Sequence, residues 1–175
     1  MSETTPSSAP ADSRESNPGP LFEAHYRSLW ECEGSSFEEA NPALAVEAIG
    51  FTRYAGDWLG VIVTPWFLRL YLVPGGGSLW GEIPLGRSRY INLPSETMQF
   101  VADADPELGP FQFSTLIDPT SLLSDMGAAR QMALRIMQPF APPAPEAAPP
   151  TLPETPEARP GVTRRGFFRR LAGKR

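Results

Sequence analysis

Prolines crowd the two ends of this chain and so mark where a folded domain can lie. Of the 21 prolines, eight fall within residues 141–160, APPAPEAAPPTLPETPEARP, where Ala and Glu supply most of the rest. That composition favours extended polyproline II segments and reads as a semi-rigid spacer. Residues 1–19 are rich in Ser, Thr, Pro and acidic side chains without apolar periodicity. They bury too little to offset the entropy of ordering and are expected to be disordered. One folded domain is therefore expected over residues 20–140, then a linker at 141–160 and a basic tail at 161–175.

Within the domain, periodicity gives the elements. Phe22, Tyr26, Leu29 and Trp30 recur at helical spacing. Asn41 and Pro42 supply an N-cap and a first helical position for a second short helix, which Gly50 can close with positive φ. From residue 51 the period changes. Residues 58–63, WLGVIV, are apolar on both faces, and Trp66, Leu68, Leu70 and Leu72 alternate with a set that includes Arg69 and Tyr71. Two strands are expected there, the first of them central. Pro74-Gly-Gly-Gly-Ser78 reads as a hairpin turn, and further strand candidates lie at 89–93, 97–102 and 111–117. Short connections between them imply an antiparallel meander. Ser124 is expected to cap a last helix in which Met126, Ala129, Met132, Ala133, Ile136 and Met137 recur at three and four. The expected fold class is α+β: an antiparallel β-sheet meander bracketed by N-terminal helices and a C-terminal helix, with disordered extensions at both ends.

The chemistry-bearing residues are few. The start of the chain lacks the features of a secretory signal, and the longest apolar run, 61–73, is interrupted by Thr64, Pro65 and Arg69. It is shorter than the roughly 20 residues needed to span a bilayer. A single cysteine, Cys32, excludes an intramolecular disulfide framework and suits a reducing compartment, so a cytoplasmic location is expected. His25 is the one histidine, and no nucleophile–base pair is evident, so the chain is not expected to be an enzyme. A metal site built on His25 and Cys32 would need carboxylates from elsewhere. Asp103, Asp105 and Glu107 run into Pro106 and Pro110 without cation-loop spacing and read as a solvated loop. No metal and no cofactor are expected. The run Gly75-Gly76-Gly77 precedes Ser78-Leu-Trp80 and not a helix carrying Lys-Ser or Lys-Thr, so it is no phosphate loop.

Three segments are specific enough to carry a resemblance. Residues 41–51, NPALAVEAIGF, residues 58–67, WLGVIVTPWF, and residues 70–74, LYLVP, resemble the HybE/HupJ family of nickel-iron hydrogenase assembly chaperones. The likeness continues through Leu93-Pro94, Phe100 and residues 114–130, covering residues 21–138. It implies a chaperone that binds hydrogenase small or large subunit precursors, together with other maturation proteins, before twin-arginine export. Some members carry a rubredoxin-like domain with two Cys-x-x-Cys pairs, which these residues lack. Where the family usually has Ser-Pro-Met, this chain has Asp118-Pro119-Thr120 and then Ser124-Asp125-Met126. Since Trp is enriched among interface hot spots, partner contacts are expected at Trp58, Thr64, Pro65, Trp66 and Phe67. The alternatives are a scaffold module in the maturation machinery and a membrane-surface adaptor acting through the basic tail.

The tail is set apart by charge. Six basic and no acidic residues in 161–175 leave nine basic against 20 acidic for the rest, a net −11. Thr163-Arg164-Arg165-Gly166-Phe167-Phe168-Arg169 resembles the core of a twin-arginine export signal, yet only six residues follow Arg169, so it is not expected to direct this chain's own export. Three readings stay open. The tail is a pseudo-signal whose Arg164, Arg165, Phe167 and Phe168 compete with a client's signal at a tethered concentration of about millimolar. It makes transient membrane-surface contact through Phe167, Phe168 and Leu171. Or it is solvated and aids solubility. Nucleic-acid binding is not expected, because the acidic body would oppose encounter.

Overall fold

A computed structural model describes residues 15–142. Helix α1 (Gly19–Glu33) precedes strands β1 (Glu47–Tyr54), β2 (Asp57–Val63), β3 (Leu68–Val73), β4 (Ser88–Asn92), β5 (Thr97–Asp105) and β6 (Gly109–Ile117), and helix α2 (Met126–Met137) follows. The strands form one sheet in the order β1-β2-β3-β6-β5-β4, antiparallel throughout. It is the expected α+β class, made of two three-stranded meanders joined where β3 pairs with β6. Residues 1–14, nearly all of the linker and the whole tail at 161–175 lie outside the described residues. Among those described, no helix is long and apolar enough to cross a membrane.

The sheet carries a helix on each face because its central strands are apolar on both. Every residue of β2 is buried. Leu59, Val61 and Val63, with Leu68, Leu70 and Leu72 of β3, pack with Ala129, Ala133 and Met137 of α2. Trp58, Ile62, Tyr71 and Val73 pack on the opposite side with Phe22 and Tyr26 of α1. The α2 stripe is the one its spacing predicts. Its cap is Asp125, one residue beyond Ser124, whose carboxylate accepts a hydrogen bond from the Ala128 N–H at 2.9 Å.

The second N-terminal helix expected at 41–50 does not form; β1 begins at Glu47. A helix there could bury only one stripe, whereas a strand serves both layers. Val46 and Ala48 pack with the α1 cluster and Ile49 with the α2 cluster, while Glu47 pairs with Arg130 of α2. Gly50 does have positive φ, at 68°, as the extra residue of a β-bulge rather than a helix cap. Ile49 lies opposite Val61 and Thr52 opposite Leu59. One residue is thus inserted, which reverses the alternation and returns Phe51 to the α1 side.

The hairpin expected at Pro74–Ser78 is also corrected. Strand β3 pairs with β2 and β6, so residues 74–87 carry the chain to the far edge of the sheet. Their organiser is Asp57, which is fully buried at the start of β2. Its Oδ1 accepts from the N–H groups of Gly75 (2.8 Å) and Gly77 (2.9 Å), and its Oδ2 from Leu79 (2.9 Å) and Trp80 (2.8 Å). Burial pushes this carboxyl up, but the four backbone donors favour the anion more strongly and hold it below its ordinary range.

Candidate functional site: an aromatic platform at the β2–β3 corner

Between β2 and β3 the chain turns through residues 64–67. Thr64, fully buried, organises the turn: its Oγ1 accepts from the N–H groups of Phe67 (2.9 Å) and Trp66 (3.3 Å), and its own N–H donates to the Phe67 carbonyl at 2.9 Å. The Pro65 carbonyl accepts from the Asn41 N–H at 2.6 Å and from the Thr120 hydroxyl. Asn41 then reaches across with its side-chain amide to the carbonyls of Thr120 (3.1 Å) and Leu123 (2.8 Å), while its Oδ1 accepts from the Ala43 N–H (3.0 Å). Three segments distant in sequence are thereby tied at one point. This gives the 118–124 loop a structural role.

On that rigid corner Trp66 is half-buried. Its ring stacks on Phe37 at 4.4 Å with an 8° tilt and on Trp30, from the last turn of α1, at 5.5 Å and 20°. Phe37 and Trp30 are half-buried too, so three nearly parallel rings share one surface patch. Beneath it Tyr26 stands edge-on to Phe67 at 5.3 Å and shares a 2.7 Å hydrogen bond between its hydroxyl and that of Tyr71. Burial raises the pKa of both phenols, Tyr71 well above its ordinary value, so the pair is neutral at physiological pH. The Arg69 guanidinium lies over the rings of Phe67 (4.0 Å) and Phe113 (4.4 Å). Stacking covers part of each face, and the aromatic surface that is left is held by its neighbours, so it can meet an apolar segment with little loss of side-chain entropy.

The fold brings Thr64, Pro65, Trp66 and Phe67 together, and of these Trp66 alone is only half-buried. Trp58 lies at the other end of β2, buried in the core with the Arg53 guanidinium 4.7 Å from its ring centroid. Arg164, Arg165, Phe167 and Phe168 lie outside the described residues. Sequence reasoning passed over Trp30 and Phe37 as site residues. Trp30 was absorbed into a helix stripe, and Phe37 follows a Gly-Ser-Ser break with no period of its own. His25 and Cys32 line a different hollow, beside the β5–β6 turn.

Comparison with known proteins bears on this architecture. The family described as NiFe-hydrogenase assembly, chaperone, HybE matches residues 17–170. Protein HoxT of Cupriavidus necator is 30% identical over 149 residues, covering 77% of this chain and 79% of that one. The probable rubredoxin HupJ of Rhodobacter capsulatus is 30% identical over 93 residues, covering 53% of this chain and only 34% of its own length. The solution structure of HybE from Escherichia coli superposes with a TM-score of 0.55 at 20% identity, covering 79% of this chain and 89% of that one, a likeness of fold. The family match spans the whole domain and runs on through the linker into the tail, beyond the 21–138 expected, and the chain belongs to the HybE family of NiFe-hydrogenase assembly chaperones.

Proposed function

We propose that the chain holds a nickel-iron hydrogenase subunit precursor during maturation, before twin-arginine export, with Trp66, Trp30 and Phe37 as its principal contact surface. The observation that carries this reading is the half-buried Trp66, stacked on Phe37 at 4.4 Å over a hydrogen-bonded corner where its neighbours along the chain are buried. In this account Thr64, Pro65 and Phe67 aim the tryptophan, and Trp58 supports the strand beneath. An export signal offers a basic start and an apolar segment. The first is attracted by a body of net charge −11, nine basic against 20 acidic residues outside 161–175, and the second is met by the rings. The role is one of binding without catalysis, in the cytoplasm where an unexported precursor resides.

The basic tail fits as a competitor: Arg164, Arg165, Phe167 and Phe168 imitate the client's signal and keep its binding reversible. Removal of residues 161–175 should then tighten binding of a client signal peptide, and an unchanged affinity would end that part of the reading. The broader function is tested by affinity purification from cells with the hydrogenase operon present. A subunit precursor should be recovered with the tagged chain. Recovery of accessory proteins alone would replace the chaperone reading with a scaffold.

A further inference from the structure

We infer that His25, Asp105 and Glu107 form a binding site for a borderline divalent cation such as zinc, with the Cys32 thiol at its rim. The three residues come from α1 and the β5–β6 turn, which the fold packs together. His25 Nδ1 lies 2.9 Å from Glu107 Oε2, and its Nε2 lies 3.7 Å from Asp105 Oδ2. One donor atom from each residue falls within 4.8 Å of the others. Ligand atoms about 2.0–2.2 Å from a tetrahedral ion stand roughly 3.5 Å apart. Because Asp105 and Glu107 face different nitrogens of one ring, a cation held by Nε2 and Asp105 requires the exposed Glu107 side chain to swing across to that edge.

Two features prepare the site. Asp105 Oδ1 accepts hydrogen bonds from the N–H groups of Glu107 (2.7 Å) and Leu108 (3.2 Å), which fixes the carboxylate and leaves Oδ2 directed at the imidazole. Outer contacts of this sort orient metal-binding groups. The His25 ring is in turn set edge-on against Tyr26 at 5.2 Å and 82°. Cys32, exposed two helical turns beyond His25, opens onto the same hollow of about 380 Å³. One imidazole with two carboxylates suits zinc or cobalt better than magnesium or calcium, which prefer oxygen alone. Three protein ligands leave a fourth position for water or a partner's side chain.

The competing description is an ion pair between protonated His25 and the carboxylates, without metal affinity. Titration of the full chain with zinc, followed by calorimetry, and with cobalt, followed by its visible absorption, separates the two. Wild type should bind one zinc saturably, and the His25 ring nitrogens should shift in NMR spectra. Because losing even an outer-shell partner costs roughly 10–100-fold, His25→Gln should weaken binding at least about tenfold, and Glu107→Gln should weaken it as well. Glu96→Gln, away from the hollow, should bind as wild type. Circular dichroism checks that each variant is folded. Absence of saturable zinc binding, or equal affinity in wild type and His25→Gln, would reduce the triad to an ion pair.

Discussion

The Trp80 N–H donates to Oδ2 of Asp57 across 2.8 Å, so the first residue of β2 holds the connection that leaves β3. Three further N–H groups, of Gly75, Gly77 and Leu79, converge on the same buried carboxylate. A charge-assisted bond to a backbone donor is about twice as strong as a neutral one, and this cluster anchors 74–80 without regular secondary structure.

Replacing Asp57 by Ala strands those donors. The expected cost is about 3 kcal/mol, from the loss of several bonds to a buried charge, read by urea denaturation. The pH dependence follows from the depressed folded-state pKa. The carboxylate's contribution is fully present above its ordinary value of 3.8 and is lost as pH falls through the lower folded-state value. Asp57→Asn should remove that part of the acid sensitivity.

Gly60 sits where β2 passes beneath the Phe51 ring, and a Cβ there would lie 2.2 Å from ring carbons. Gly60→Ala should therefore destabilise by about 2 kcal/mol through overpacking. Adding Phe51→Ala should make the two costs less than additive in denaturation measurements, since the collision is gone.

Asn41→Ala removes both side-chain donors to the 120–123 loop and the acceptor for Ala43. A loss of about 2 kcal/mol is expected. The local consequence should be faster hydrogen exchange at Trp66 and Phe67, whose turn is tied to that loop through Pro65.

Much of the fold was legible where one rule acted alone. The α2 stripe was readable because Ala129, Ala133 and Met137 face a single layer, and residues 58–63 because a strand between two helices is apolar on both sides. Strand β1 was not, since the Gly50 bulge breaks its alternation and mimics a helix ending. The site was half legible. Trp66 announced itself beside Pro65, but Thr64 and Pro65 turn inward because their polar groups bind Phe67, Asn41 and Thr120, the latter two remote in sequence. The carboxylates near His25 lie some 80 residues away, 82 for Glu107, so no local spacing could join them.

The central claim is that the platform around Trp66 binds the precursor. Its most direct test is calorimetric titration of wild type, Trp66→Ala and Phe37→Ala with the signal peptide of a hydrogenase small subunit, alongside thermal melts. Truncating a hot-spot tryptophan costs about 2 kcal/mol or more, so Trp66→Ala should weaken binding roughly 30-fold, and Phe37→Ala should weaken it less, with both variants folded. Wild-type affinity in folded Trp66→Ala and Phe37→Ala would contradict the account.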